Sequence, residues 1–258
     1  MSLIFVGDIH QNWHHVEAGL AALAAPPQAA ILLGDIECAQ PLDHLAAPLL
    51  SRGVKVYWIH GNHDYDTGPE MWANLAAPER NPLTACGALH ARVTDIAGLR
   101  VAGLGGAFLP YVWPANTPPR LHRRTQLAAD LAVRRPDLDA AQAAALAHFL
   151  TVTAIWPEDI DAFSEQKADV LVVHEAPSSH PEGVGVLDDL ARAMGARLIM
   201  HGHHHVTSHA EAHDGLRAVS VGDAWAVGVD GSVVWRGAPR SRPLPRSCDG
   251  WVVRAMAA

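Results

Sequence analysis

The sequence predicts an α/β fold in which two packed β-sheets are flanked by helices. Three patterns predict it. Five short apolar runs end in polar residues of the kind that bind metal ions, helical segments separate the first of these runs, and the last part of the chain alternates apolar and polar residues with a period of two.

The five apolar runs are continuous rather than alternating, which predicts strands that are buried on both faces. They are LIFV before Asp8, AAILL before Asp35, VKVYWI before Asn62, DVLVV before His174, and RLIM before HGHHH. Open α/β sheets place their sites at the carboxyl ends of such strands. The polar residues are therefore expected to meet at one rim.

Helices are predicted between the first strands. Trp13 to Ala25 has helical apolar spacing, with Asn12 as its N-cap, and Pro41 to Ser51 forms a second helix. The resulting β-α-β-α-β order predicts a parallel sheet at the start of the chain.

The later half of the chain predicts an antiparallel sheet beside the first. Two short strands flank a turn at Ala97-Gly98, and Asp230-Gly231 is a strong hairpin signal within a period-two stretch. Residues 108–167 are predicted to form a helical insert that lacks metal-binding motifs. Two roles for this insert are left open, a cap over the rim and a dimer contact. The expected organisation is one domain over 1–258, with 239–258 as a C-terminal extension that begins with a linker at Pro239 to Pro245.

Charge and composition exclude several classes of protein. The net charge is −8 and no Lys/Arg run occurs, which disfavours a nucleic-acid partner. No apolar run approaches the roughly 20 residues of a membrane span, and MSLIFVGDIH lacks the features of a signal peptide. The expectation is a cytoplasmic protein, with Cys38, Cys86 and Cys248 as buried thiols in a reducing compartment.

The unusual feature of the composition is 17 histidines, several of them in an ordered series of blocks. Asp8-x-His10, Gly34-Asp35, Gly61-Asn62-His63-Asp64, His174 and Gly202-His203-x-His205 follow one another, each after an apolar run. The series resembles the signature of the calcineurin-like metallophosphoesterase superfamily, DxH…GD…GNH[DE]…H…GHxH. The resemblance covers about the first two hundred residues and implies two packed mixed β-sheets (a β-sandwich) flanked by helices.

By this resemblance the blocks hold two divalent metal ions. The first ion would take Asp8, His10, Asp35 and His205, and the second would take Asp35, Asn62, His174 and His203. Carboxylates, imidazoles and an amide oxygen suit Mn²⁺, the first choice, with Fe and Zn²⁺ left open. Strand geometry is expected to turn alternate residues of each block toward the ions, so that His204 points to solvent or to the other face of the sheet.

The resemblance also implies hydrolysis of phosphate esters by in-line attack of a metal-bridging hydroxide. His63 would act as general acid, with Asp64 orienting its imidazole. A small phosphorylated substrate is expected, and phosphodiesters are slightly favoured over the alternatives of a phosphomonoester or a nucleotide. The segment GDIECAQ lacks the Asp and Arg of the GDxVDRG motif found in protein phosphatases. The alternative to an enzyme is a non-catalytic, metal-binding scaffold of the same fold. Whether the chain forms a homo-oligomer is left open.

Four other polar residues are not assigned to the metal site. Glu37 is expected to be solvated or helix-capping, Asp223 to lie at a turn or strand end, and Arg124 to lie on a solvated helix face. His180 competes with His174 for a ligand position, but His174 is preferred because it directly follows an apolar run.

Overall fold

The computed structural model describes residues 2–239 and 250–255, which form two mixed β-sheets flanked by helices. The first sheet has the strand order β11-β10-β1-β2-β3. Strands β1, β2 and β3 are parallel, β10 pairs antiparallel with β1, and β11 pairs antiparallel with β10. Its strands are β1 (Leu3–Val6), β2 (Ala29–Leu33), β3 (Lys55–Ile59), β10 (Ala226–Gly228) and β11 (Val233–Trp235).

The second sheet has the order β12-β8-β9-β7-β6-β5-β4, with a parallel centre of β9, β7, β6 and β5 and antiparallel strands at its edges. Its strands are β4 (Arg92–Ile96), β5 (Leu99–Leu104), β6 (Val170–Val173), β7 (Leu198–His201), β8 (Ser208–Ala212), β9 (Arg217–Ser220) and β12 (Trp251–Ala255).

The two sheets pack face to face, and this packing explains the continuous apolar runs. Phe5 and Ile31 of the first sheet share one buried cluster with Val172 and Met200 of the second. Alternate residues of the same strands face outward into two further clusters, where the helices cover them. Because a strand turns successive side chains to opposite faces, burial on both faces requires an apolar residue at every position. The predicted fold class is confirmed.

Within residues 2–239 and 250–255, four helices accompany each sheet. Beside the first lie α1 (Trp13–Ala22), α2 (Leu42–Leu45), α3 (Ala47–Leu50) and α4 (Pro69–Ala76), and beside the second lie α5 (Leu127–Arg134), α6 (Ala140–Thr153), α7 (Pro157–Ser164) and α8 (Gly185–Met194). Short 3₁₀ turns occupy Ala85–Gly87 and Arg124–Gln126. No helix within the described ranges is long and apolar enough to cross a membrane.

The predicted helices differ in detail from those observed. The helix predicted for Pro41 to Ser51 is two short helices, because Pro48 has no N–H and its ring clashes with the carbonyl one turn before it. The helix predicted for Trp13 to Ala25 ends at Ala22, and Asn12 makes no side-chain capping hydrogen bond.

The predicted separate antiparallel sheet is also wrong. The β4–β5 hairpin turns at Ala97-Gly98 as expected, but it lies at the edge of the second, mixed sheet. The stretch that alternates with period two divides between the sheets. β9 pairs in parallel with β7, whereas the hairpin around Asp230-Gly231 joins the first sheet. The linker predicted for Pro239 to Pro245 lies outside the described residues except at its first position.

Residues 108–167 contain α5, α6 and α7, whose apolar faces pack into one cluster with β5, β6 and α8. Arg124, expected on a solvated face, is instead half-buried and pairs with Asp159 through two hydrogen bonds of 2.8 Å. The insert also meets the segment after β3, where the Tyr65 hydroxyl lies 2.7 Å from His148 Nδ1. Of the cysteines, Cys38 is buried, Cys86 is exposed against expectation, and Cys248 lies outside the described residues.

Candidate metal centre

The polar residues that follow β1, β2, β3, β6 and β7 meet at one edge of the sandwich. The first three strands belong to one sheet and the last two to the other, so the site lies across the junction of the two sheets. Its central carboxylates, Asp8 and Asp35, are 0% and 1% exposed.

Two groups of potential metal ligands form there, with Asp35 common to both. The first comprises Asp8, His10, Asp35 and His205, and the second comprises Asp35, His174 and His203; within each group, one ligand atom per residue lies within 4.8 Å of all the others. His10 Nε2 and His205 Nε2 are 3.1 Å apart in the first, and His203 Nδ1 and His174 Nε2 are 3.2 Å apart in the second. Asn62 Oδ1 is a fourth potential ligand atom of the second group and lies 3.0 Å from His174 Nε2. The seven predicted ligands thus come together in the predicted combinations.

The two carboxylates have oxygens suited to a cation. Asp8 Oδ1 accepts a hydrogen bond from the His203 N–H at 2.9 Å, and Asp35 Oδ1 accepts one from the His63 N–H at 2.8 Å. The second oxygen of each carboxylate is fully buried; that of Asp8 accepts no hydrogen bond from the described residues, and that of Asp35 lies 3.3 Å from His174 Nε2. A buried carboxylate oxygen without a donor is costly, and a bound cation removes that cost. The donor set therefore fits two divalent ions.

The ligands converge through left-handed loop backbone rather than through strand alternation. β1 ends at Val6 and β7 ends at His201, before the ligand blocks are complete. His203 and His205 have φ values of 70° and 56°, and His10 and Asp35 have φ values of 43° and 47°. Non-glycine residues adopt this conformation rarely and at a cost. The expectation that period-two strand geometry orients the ligands is wrong.

Two glycines allow the loops to approach the carboxylates. A Cβ atom added at Gly61 would overlap Asp35 Oδ1, and one added at Gly202 would lie 2.8 Å from both carboxylate oxygens of Asp8. The glycines of the GNHD and GHHH blocks are thus required by space at the ligands themselves.

The electrostatics of the centre favour added positive charge. Burial raises the pKa of Asp8 to about 6, although His174 acts in the opposite direction. Burial alone would lower the pKa of His174, but the charges of Asp35 and Asp8 raise it to about 10. In the metal-free chain a proton on His174 thus partly offsets the carboxylates. Bound cations would displace this proton, since a ligating imidazole must be neutral.

Comparison with known proteins identifies the family. The sequence model of the family described as calcineurin-like phosphoesterase matches residues 1–207. The chain belongs to this family. It is therefore a metal-dependent phosphoric ester hydrolase.

One relative resembles the chain in sequence, and two solved structures resemble it in fold. An uncharacterized protein of Haemophilus influenzae is 36% identical over 212 residues, which cover 79% of this chain and 83% of the relative. A protein of Thermus thermophilus has a similar fold, with a TM-score of 0.55 at 12% identity over 90% of this chain and 97% of the other. A dimetal phosphatase of Danio rerio has a TM-score of 0.51 at 12% identity over 88% and 92% of the two chains. At these identities the two structures establish only the shared fold.

The histidine of the phosphoesterase GNHD block contacts a different carboxylate from the one expected. His63 Nδ1 lies 2.6 Å from Asp66 Oδ2, and its side chain is 45% exposed beside the ligand groups. Asp64 is fully buried and accepts hydrogen bonds from the N–H groups of Ile36, Glu37 and Gly61 at 2.7–2.8 Å. The expectation that Asp64 orients His63 is therefore wrong, because Asp64 joins the loops after β2 and β3.

Two further carboxylates contact ligand histidines, although sequence analysis assigned them only structural roles. Glu37 Oε1 lies 2.5 Å from His10 Nδ1, so Glu37 is neither solvated nor helix-capping. Asp223 Oδ1 lies 2.9 Å from His205 Nδ1. Such partners hold a ligand ring in place and keep the proton off its metal-facing nitrogen. The only signals in the sequence were the position of Glu37 two residues after Asp35 and the repeated Gly-Asp pair at Asp223.

The second ligand group has its own neighbours. His174, preferred to His180, is fully buried, and its Nδ1 lies 2.8 Å from the Leu33 carbonyl oxygen. Glu175 follows it, accepts a hydrogen bond from the Phe108 N–H at 3.0 Å, and lies 3.7 Å from His203 Nε2. Phe108 begins the helical insert, so the insert reaches the edge of the metal centre. Sequence reasoning did not single out Glu175.

Proposed function

We propose that this phosphoesterase uses two divalent ions, with Mn²⁺ as the first choice, to hydrolyse small phosphodiesters. The observation that carries the proposal is the pair of ligand groups joined by Asp35. Asp8, His10, Asp35 and His205 would hold one ion, and Asp35, Asn62, His174 and His203 the other. When bound, such a pair binds phosphate oxygens as a Lewis acid and lowers the pKa of coordinated water.

His63 is the proposed general acid. Its Nδ1 is bonded to Asp66, which leaves Nε2 as the nitrogen able to give a proton to a leaving oxygen. Partial burial disfavours the charged ring, but the hydrogen bond to Asp66 and the nearby charges of Asp35 and Glu37 raise the pKa of His63. The hydrogen bond to Asp66, which is not a metal ligand, thus favours the protonated ring that a general acid needs.

The preference for diesters rests on the charges around the site. Within the described residues, the ion pairs of Asp8, Asp35 and Glu37 are all with histidines, and none is with Lys or Arg. A phosphomonoester carries up to two negative charges, which proteins commonly clamp with arginine. A diester carries one charge, which the metal ions can neutralise without such a clamp.

We further propose a single catalytic domain in which residues 108–167 border the substrate entrance. The insert reaches the site at two places, through His148 on Tyr65 and through Phe108 on Glu175. Contacts with the segments after β3 and β6, which carry Asn62 and His174, suit a cap better than a remote surface element.

The substrate class is tested with paired esters. Chelator-treated protein is reloaded with Mn²⁺, and kcat/KM is compared for bis-p-nitrophenyl phosphate and p-nitrophenyl phosphate, and for an alkyl diester against its monoester. The diester of each pair is expected to react faster. Faster turnover of both monoesters would make the protein a phosphomonoesterase, and no turnover by the metal-loaded protein would reject the hydrolytic proposal.

The acid role is tested with His63→Ala. Loss of the acid should slow alkyl esters, whose leaving groups need a proton, by about 100-fold or more, with little change for nitrophenyl esters and with the bound metal retained. His44→Ala is the matched control, because His44 is exposed on α2. Equal losses for both kinds of leaving group would contradict the assignment.

A further inference from the structure

His204 is the histidine of the GHHH block that the two ligand groups do not use. The left-handed backbone at His203 and His205 directs those side chains to the metal centre and turns His204 away from it. His204 is 3% exposed, so it does not face solvent, which was one of the two orientations expected from the sequence. It lies against the loop that follows β6, where its ring stacks on His180 with centroids 3.6 Å apart and planes 12° apart.

The loop after β6 is held in a tight conformation. The Val184 N–H donates to the Ala176 carbonyl oxygen at 2.9 Å, which closes the loop at its base, and the Gly183 N–H donates to the His180 carbonyl oxygen at 2.8 Å. A Cβ atom at Gly183 would overlap the Pro177 carbonyl oxygen. The backbone therefore presents His180 and Glu182 in a fixed arrangement opposite His204.

These side chains form a third group of potential metal ligands. One ligand atom from each of His180, Glu182 and His204 lies within 4.8 Å of the other two. Glu182 Oε2 is 3.7 Å from His204 Nδ1, and its side chain is 71% exposed, which gives an ion access from solvent. The Glu182 N–H donates to His180 Nδ1 at 3.2 Å. Stacked, nearly parallel rings cannot each aim a lone pair at one ion, so binding requires the half-buried His180 ring to turn out of the stack, and an ion bound at Nδ1 would replace this hydrogen bond.

We propose that His180, Glu182 and His204 bind a further divalent cation of the Zn²⁺ class. Two imidazoles and one carboxylate are a common donor set for Zn²⁺, which takes a fourth ligand from water. The group shares no residue with the other two groups. An ion here ties the loop after β6 to the loop after β7. Since the second loop carries His203 and His205, the ion supports their unusual backbone conformation from the side opposite the metal centre.

The test counts bound ions. Chelator-treated protein is dialysed against buffered Zn²⁺, and bound metal is measured by elemental analysis for the wild type, Glu182→Gln, His180→Ala and Asp35→Asn. The wild type should bind about three ions, each of the first two variants should bind two or bind the third at least tenfold more weakly, and Asp35→Asn should retain the third. Glu165→Gln is the control, because Glu165 is an exposed carboxylate at the end of α7.

The outcomes separate this site from the metal centre. Glu182→Gln changes an exposed side chain, so its result does not depend on a buried substitution being tolerated. A wild type that binds only two ions, or a third ion that either Glu182→Gln or His180→Ala leaves at wild-type affinity, overturns the proposal. If only the metal centre fails to bind its ions, the wild type binds a single ion. Asp35→Asn then keeps this ion, and Glu182→Gln loses it.

Discussion

Asp66 Oδ2 lies 2.6 Å from His63 Nδ1, and this contact joins two residues of one short loop beside the metal ligands. The carboxylate fixes the imidazole so that Nε2 faces away from Asp66 and is the nitrogen left for a substrate. The chain thus contains a carboxylate–imidazole pair beside the metal ligands.

Asp66→Asn should reduce kcat/KM for alkyl diesters by about tenfold. The raised pKa of His63 depends in part on Asp66, so its loss lowers that pKa relative to the wild type. An acid must be protonated to act, and activity is therefore lost as pH rises through its pKa. The alkaline limb of the pH–rate profile should move to lower pH in Asp66→Asn.

The control for this prediction is Asp161→Asn, which removes an exposed carboxylate of α7. Its pH–rate profile should match that of the wild type. An alkaline limb that stays in place in Asp66→Asn would show that another group titrates there.

Much of the fold could be predicted from local sequence patterns, and the ligand set from the resemblance of its ordered blocks to a known family signature. A strand buried on both faces needs an unbroken apolar run, and the residue after the run is placed at the rim by the sheet itself. Asp8, Asp35 and His174 were located in this way. Their burial at 1% or less agrees with positions inside the junction of two sheets.

The supporting carboxylates could not be predicted, because their positions depend on loop conformation and on contacts distant in sequence. Asp64 and Asp66 follow His63 by one and three residues, so the sequence does not decide which of them contacts it. Asp64 turns inward to three backbone N–H groups, which leaves Asp66 as the partner of His63. Asp223 reaches His205 from the connection between β9 and β10, two strands of different sheets.

Glu37→Gln should weaken binding of the ion held by Asp8, His10, Asp35 and His205. Glu37 fixes the His10 ring through Nδ1, and loss of such a partner commonly reduces metal affinity by about 10–100-fold. Equilibrium dialysis with Mn²⁺ measures the effect. One ion should bind more weakly, and the other should keep its affinity.

Asp223→Asn provides an independent check, because Asp223 contacts His205, another ligand of the same ion. It should weaken that same ion, whereas Glu79→Gln, a change at an exposed residue, should have no effect. Unchanged affinities in both Glu37→Gln and Asp223→Asn would mean that neither carboxylate supports the metal ligands.

Asp64→Asn should affect stability rather than the acid step. The buried carboxylate accepts three backbone hydrogen bonds, and an amide would place N–H groups against N–H donors. The expected loss in the free energy of unfolding is about 3 kcal/mol. Urea unfolding of chelator-treated protein measures it without a contribution from bound metal. A variant of normal stability that loses only alkyl-ester turnover would return Asp64 to a role in catalysis.

Removal of metal should lower both activity and Tm, and Mn²⁺ should restore both. Asp8 Oδ2 is buried and accepts no hydrogen bond from the described residues, and Asp35 Oδ2 has His174 Nε2 at 3.3 Å. A cation that binds these oxygens only in the folded chain therefore stabilises the fold. The rise in Tm should grow with Mn²⁺ concentration. Asp35→Asn removes the carboxylate common to both ligand groups, so its Tm should respond far less to Mn²⁺. An equal response in this variant would place the stabilising ions elsewhere in the chain.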